Sequence, residues 1–482
     1  LRPQPGGMTG PHRLPCETPP PNAQAAPDRP GLRWVLPATI LGSRLGFIDA
    51  AVVNVALPAM QRDLATPIAT MQWVANGYML TLASLILLGG SAGDRFGRKR
   101  VFLAGLVAFA AASLACGLAP SAAWLIIARL AQGVAAALLV PSSLAIISEA
   151  YTGDARGRAI GTWAGAAALT TALGPPIGGW LVDAVGWRAI FLINLPVAGA
   201  AVLLALKLPQ DVVAGDNRPL DARGAALAVA TLGLLSYGLI AIGNGEPAGW
   251  IALAAALPAG WLFLRVEARS AAPMVPLTLF ADRSFAGANA LTVLLYAALG
   301  GALFLLPFML IRVHGYSAAD AGAAFLPFSA VMGIGSRPAG GLIERFGARL
   351  PLVVGPGVTA AGFALLAVFG DTADYWRGYL PGLLVVGVGM TIAIAPLTTT
   401  VFDSAPANRS GVASGINNAA ARAAGLVAVA ALGLAFGGAE PSGTAAHEIA
   451  GAYPVVMAVA AALAALAAAT AAVTIAARAK PA

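Results

Sequence analysis

"GGSAGDRFGRKR" (89–100) interrupts a chain that is otherwise mostly oil. Apolar runs lie on both sides of it, near 70–91 and 101–119, and each is close to the roughly 20 residues that cross a bilayer. Five charges stand between them: Asp94, Arg95, Arg98, Lys99 and Arg100. Gly93 and Gly97 permit a tight turn and close helix approach. Asp94 can cap a helix end or pair with an arginine. Taken alone, the cluster also suits a plain basic loop at a membrane surface. A second copy changes its weight. "IERFGARL" (343–350) sets Glu344-Arg345-Phe346-Gly347 in register with Asp94-Arg95-Phe96-Gly97, followed by Arg349. Repeated halves mark transporters whose site lies near the midplane between them.

Composition agrees with a membrane protein. Of 482 residues 59% are hydrophobic and only 10% charged, with mean hydropathy +0.80. Soluble domains carry about 25% charged residues, so a soluble surface of this size could not be covered. The net charge of +8 sits in short loops between apolar spans, which favours membrane orientation over nucleic-acid binding. Spans are expected near 34–57, 70–91, 101–119, 123–147, 158–181, 188–208, 222–243, 250–266, 285–310, 318–342, 350–370, 378–402, 409–437 and 451–477. The two copies of the loop are eight spans apart. With a six-helix repeating unit, two extra helices lie between the halves. The expected division is a disordered tail 1–31, a bundle 32–208, a linker with two extra helices 209–283, a second bundle 284–477 and a tail 478–482. Met8 is a candidate start, and no signal peptide precedes the first span, which is long enough to anchor itself.

Alternate loops hold Arg156 and Arg158, Lys207 and Arg223, Arg269 and Arg283, and Arg409, on the same side as 93–100 and 343–350. The positive-inside rule places this side, with both termini, in the cytoplasm, which requires an even number of helices.

Three further stretches complete the pattern. "RLAQGVAAA" (129–137) opens the fourth span. "GAAALTTALGPPIGG" (165–179) fills the fifth with Gly165, Gly174, Gly178 and Gly179 for close packing, and Pro175 and Pro176 to bend it. "GWRAIFLINLPV" (186–197), "FIDAAVVNVALP" (47–58) and "GVASGINNAAARAAG" (411–425) follow the same logic of small and polar residues inside spans. Together with Gly90, Gly93, Asp94, Arg95, Gly97, Arg98, Lys99 and Arg100, these resemble the major facilitator superfamily, and within it the fourteen-helix drug:proton antiporter family. The resemblance covers almost the whole chain after the tail. It implies an all-α membrane protein of about fourteen helices, as two six-helix bundles plus two inserted helices. It also implies that the 89–100 loop and its copy latch the halves in one state. The 165–179 stretch resembles the antiporter branch's helix-five motif. Arg44 departs from the family, which usually has an apolar residue there.

The spans contain few ionisable residues: Arg44, Asp49, Arg129 and Arg422, with Arg337 near a basic end. An intramembrane charge is a functional candidate by default. At 1.5 Å per residue, Asp49 lies about 12 Å and Arg129 about 9 Å below the same surface, so the two are expected to face one polar cavity in the first bundle. A carboxylate poised between burial and an arginine can load and release a proton, although a static ion pair would look the same in sequence. In the resembled family this acid and arginine serve proton coupling. Arg44 is about 140° round the helix from Asp49 and faces elsewhere, towards the cavity's inner half or a backbone carbonyl. Asn54, Gln132, Asn417, Asn418 and Arg422 complete the candidate substrate cavity. With one deep acid facing several arginines, neutral, zwitterionic or anionic organic molecules fit at least as well as strong cations.

Cys16 and Cys116 are badly placed for each other, and no metal site or cofactor is expected. No phosphate-binding loop or nucleophile elbow occurs, so an enzyme or ATP-driven pump is disfavoured. The expected protein is a proton-driven exporter of hydrophobic drugs, antibiotics or related metabolites in a bacterial plasma membrane. Its partners are a small organic substrate, protons and lipid, without nucleic acid. A symporter importing a small metabolite is the same-fold alternative, disfavoured by Gly174-Pro175. A non-transporting membrane sensor is a further one.

Overall fold

A computed structural model describes residues 31–209, 220–406, 409–436 and 446–476. The tail expected at 1–31, apart from Gly31, the tail at 478–482 and most of the linker at 209–221 lie outside the described residues, as does the Arg337 side chain. Among the described residues, thirteen helices are long and apolar enough to cross a membrane. They are α1 (Leu32–Asp63), α2 (Ile68–Phe96), α3 (Arg98–Gly117), α4 (Ala122–Ala150), α6 (Ala189–Leu206), α7 (Ala222–Gly243), α8 (Ala248–Arg269), α9 (Arg283–Val313), α10 (Ala318–Ser336), α11 (Arg349–Phe369), α12 (Tyr375–Asp403), α13 (Gly411–Ala435) and α14 (Ala446–Thr474). A further long helix, α5 (Gly153–Ala184), has 32 residues. At 1.5 Å per residue it spans about 48 Å, and its Gly, Thr and Pro residues, with charges near both ends, dilute its hydropathy. The fourteen expected spans are therefore all present as helices. Ends differ because polar residues extend a helix past its apolar stretch: α1 runs on to Asp63.

The packing repeats with an offset of eight helices. In the first half α2 packs on α4, α1 on α5 and α6, and α3 on α4 and α6. In the second half α10 packs on α12, α9 on α13 and α14, and α11 on α12 and α14. The inserted pair, α7 and α8, lie against each other, and α7 leans on α2 and α13 across the seam. They are the least buried spans. Large apolar side chains on the outside, such as Ile251 and Leu257 at 73% and 76% exposure, suit lipid rather than water.

The loop copies at 93–100 and 343–350 share one backbone device. Gly97 and Gly347 end their helices at φ 98° and 71°, a region that a side chain strains. Register extends to function as a strap. Lys99 Nζ donates to the Leu206 and Leu208 carbonyls at 3.1 and 2.6 Å, tying α3 to the end of α6. Its counterpart Arg349 donates to the Ala472 carbonyl, tying α11 to the end of α14. Both cations satisfy carbonyls that a helix C-terminus leaves open.

The face bearing these loops is called the basic face, and the opposite one the far face. At the far face the halves close on each other. A Cβ on Gly179 of α5 would stand 2.0 Å from the Ala318 carbonyl oxygen of α10, and one on Gly322 would stand 2.1 Å from that of Pro175. Asp183 accepts the Ala318 and Ala319 N–H groups at 3.2 and 2.7 Å, capping α10 from the other half. Gln72 of α2 donates to the Val429 carbonyl of α13 at 2.8 Å. Towards the basic face α5 and α10 part: Gly157, Gly161 and Gly165, and Gly333 and Gly340, have nothing within 4 Å of a would-be Cβ. Between α5 and α10 the seam opens towards the basic side, while α2 and α13 stay in contact, a Cβ on Gly415 standing 2.6 Å from Leu87.

Candidate functional site

Asp49 and Arg129 meet. They form an ion pair at 2% and 1% exposure, Arg129 Nη1 donating to Asp49 Oδ2. Helix periodicity sets this up, because Arg129 and Gln132 are three residues apart on α4 and share one face. Gln132 Nε2 donates to Asp49 Oδ1 at 2.9 Å and to Ser113 Oγ at 2.9 Å. Gln132 Oε1 accepts from Arg129 Nη1 at 2.7 Å. Asn194 of α6 donates to the same Ser113 hydroxyl at 3.3 Å. Arg129 Nε donates to the Val74 carbonyl of α2 at 3.1 Å. The Arg129 guanidinium lies 4.4 Å from the Tyr78 ring centre, and the Tyr78 hydroxyl donates to the Gly46 carbonyl at 3.0 Å. Five helices thus converge on one carboxylate–guanidinium pair.

The setting differs from the expected open cavity. Asp49, Arg129 and Gln132 are enclosed in the first bundle rather than lining a cleft between the halves. The reason is that Gln132, Ser113 and Asn194 supply the polar partners that water would otherwise have to supply. Cys116 is a free, buried thiol beside Gln132, with Sγ 3.7 Å from Oε1.

Arg44 is 4% exposed and also does not line the cleft. It straps α1 to α5, with Nη2 donating to the Trp163 carbonyl at 2.6 Å and the guanidinium 5.5 Å from the Trp163 ring centre. This is the backbone-carbonyl alternative of the two its sequence position allowed. Asn54 is half-buried on α1. In the second half Asn417 donates to Thr292 Oγ1 at 2.7 Å and Asn289 Oδ1 at 3.3 Å, joining α13 to α9. Asn418 is exposed and bonds back to Ser414 of its own helix. Arg422 of α13 is half-buried and lies deep in the molecule, close to Tyr78 of the first half and Tyr296 of α9. It is the charged candidate that lies between the two halves.

The helix-five residues act by closeness. Cβ atoms on Gly174 and Gly178 would stand 2.8 and 2.5 Å from Ala51 and Val52 of α1, while Gly179 meets α10. Gly165 alone of the set faces open space. In the basic loop Arg98 bonds Asp94 at 2.9 Å and Glu149 at 3.3 Å, all within the first half. Glu149, near the end of α4, carried no signal in sequence, because its partner is 51 residues away. Ser113 and Asn194 carried no special signal, since lone small polar residues are common in membrane helices. Among the described residues no group of three or more His, Cys, Asp or Glu could hold a metal.

The sequence from 39 to 430 matches the family model described as Major Facilitator Superfamily. The chain is 38% identical to multidrug resistance protein Stp of Mycobacterium tuberculosis, over 82% of this chain and 74% of that one. It is 34% identical to the tetracenomycin C resistance and export protein of Streptomyces glaucescens, over 84% and 76%. It is also 34% identical to cephamycin export protein CmcT of Amycolatopsis lactamdurans, over 84% of each. Among solved structures, a bacterial homologue of the human lysosomal transporter Spinster, inward-facing and unoccupied, superposes with TM-score 0.66 at 17% identity, over 92% and 97%. The inward-open xylose transporter XylE from E. coli gives 0.64 at 14% identity, over 93% and 97%. The paired bundles, the strapped loop copies, the seam that closes at one face and the family match agree: the chain belongs to the Major Facilitator Superfamily, and it is a membrane transporter rather than an enzyme.

Proposed function

We propose that this transporter exports hydrophobic drugs, antibiotics or related metabolites across a bacterial plasma membrane, driven by protons that load on Asp49. The basic face is cytoplasmic, with both termini on that side. The relatives' printed names, multidrug resistance and antibiotic export, support the substrate class. The observation that carries the mechanism is the enclosed Asp49–Arg129–Gln132 network.

Protonation of Asp49 removes the charge that compensates Arg129. A buried guanidinium cannot shed its own proton. The inward-open arrangement then loses its balance, and a state in which Arg129 finds water or another acceptor gains. A proton shifts the equilibrium only by its differential affinity for the two states, and this network supplies such a difference. Tyr78 carries the change outward, since its ring faces Arg129 on one side and Arg422, between the halves, lies nearby. Arg422, Asn54 and Asn418 are the substrate-facing candidates. The Asp94–Arg98–Glu149 cluster and the copy at Glu344, Arg345, Gly347 and Arg349 form the latch, released in this inward-open state.

The test is substrate-linked proton flux in energised vesicles, with tetracenomycin- and cephamycin-like compounds among those screened. Export that acidifies nothing, or that survives Asp49→Asn with full coupling, overturns the mechanism. Accumulation instead of export overturns the direction.

A further inference from the structure

Two carboxylates on the inserted helix pair have no part in the network above. Asp221 stands just before α7, and its Oδ1 accepts the Gly224 N–H at 2.8 Å, capping that helix. Glu267 lies near the end of α8 at 2% exposure, and its Oε2 accepts the Val275 N–H at 2.9 Å. That bond holds the segment leading into α9. Each acid therefore commits one oxygen to the backbone. The other two oxygens, Glu267 Oε1 and Asp221 Oδ2, are buried without a hydrogen-bond partner.

The acids converge on Gly224. A Cβ there would stand 2.7 Å from Glu267 Oε1 and 3.0 Å from both Asp221 Cγ and Oδ1. Asp221 is the charged group that acts on Glu267, and among the described residues no Lys, Arg or His forms an ion pair with either acid. Glu267 is enclosed and Asp221 half-buried, with oxygens of both flanking Gly224, so ionising both acids at once is costly. One proton answers both defects: it turns one acid into a donor and gives the other's free oxygen something to accept.

We infer that Asp221 and Glu267 hold one proton between them, a carboxylic acid–carboxylate pair that gives the inserted helices a protonation site separate from Asp49. The proton is covalently bound to one carboxyl and hydrogen-bonded to the other, with a single negative charge shared by the pair. It links the start of α7, the end of α8 and the lead into α9, so it holds the inserted pair to the second bundle. The inference stands independently of the transport reading.

The test is infrared spectroscopy of the purified protein in detergent at neutral pH. Wild type shows a protonated-carboxyl C=O band that both E267Q and D221N lose. In each variant an amide N–H takes the proton's place as donor, so the melting temperature stays close to that of wild type. If one variant fails to fold, the other carries the comparison. A wild type without the band, or a band unchanged in both variants, overturns the inference. So does a melting temperature that rises with sodium, potassium or calcium over choline at equal ionic strength in wild type alone, which would put a cation there instead.

Discussion

Replacing Asp49 by asparagine tests the enclosed ion pair most directly. Asparagine keeps the shape and keeps Oδ1 as an acceptor for Gln132 Nε2, now at 2.9 Å from the aspartate. What it removes is the charge opposite Arg129, which is 1% exposed. Arg129 retains the Val74 carbonyl, Gln132 Oε1 and the Tyr78 ring, but these are dipoles and a quadrupole rather than an anion. Breaking a buried pair by removing one partner costs about 3–5 kcal/mol. The reverse change, Arg129→Gln, strands a carboxylate, and a carboxylate can escape by taking up a proton while a guanidinium cannot lose one. Asp49→Asn is therefore expected to be the more destabilising of the two, most clearly at mildly acidic pH. The double variant should cost less than the sum of the singles, with a coupling of about 0.5–3 kcal/mol. Thermal unfolding in detergent across the four proteins measures this, and proton flux in vesicles reads the functional side. An Asp49→Asn protein that unfolds no earlier than wild type, or a cycle that is simply additive, would refute the reasoning.

Three further outcomes follow from single contacts. Asp183→Ala removes the cap that α5 places on α10, worth about 1 kcal/mol, so the far side should open about fivefold more often, read by spin-label distances between the two helices. Arg44→Leu removes a charged donor from the Trp163 carbonyl and should lower stability by about 1.5–3 kcal/mol, with Arg44→Lys recovering part of it in thermal unfolding. Burial holds His314 below its ordinary value, with Asp371 opposing. The folded state thus binds fewer protons than the unfolded one in that window, so its contribution is present above the ordinary histidine value and is lost as pH falls. His314→Gln should flatten the decline of melting temperature between neutral and mildly acidic pH; an unchanged slope would count against it.

Much of this molecule is written in local pattern. The length of each apolar run sets a helix, because lipid forces every backbone group to pair within its own segment. Span 222–243 was placed to the residue, and the copies around Gly97 and Gly347 were legible because a helix stop with positive φ needs glycine. That Asp49 and Arg129 would meet was also legible, since two charges deep in oil must find each other. Their depths measured from the apolar ends misstated the helix, as α1 continues to Asp63.

Other features existed only in three dimensions. Whether Asp49 faces a cavity or an enclosed network depended on Ser113 and Asn194, which come from helices far apart in sequence. Whether Arg44 served the cleft or a carbonyl depended on where α5 runs. Asp49 looked like the only deep acid, because Glu267 sits two residues from the end of α8, where apolarity says surface; the segment folding back from Val275 buries it. The sequence by itself determined which segments cross the membrane and that they come as two related sets. Tertiary structure decided which polar atoms are enclosed together and at which face the halves close, because both depend on backbone approaches between helices that no local pattern records.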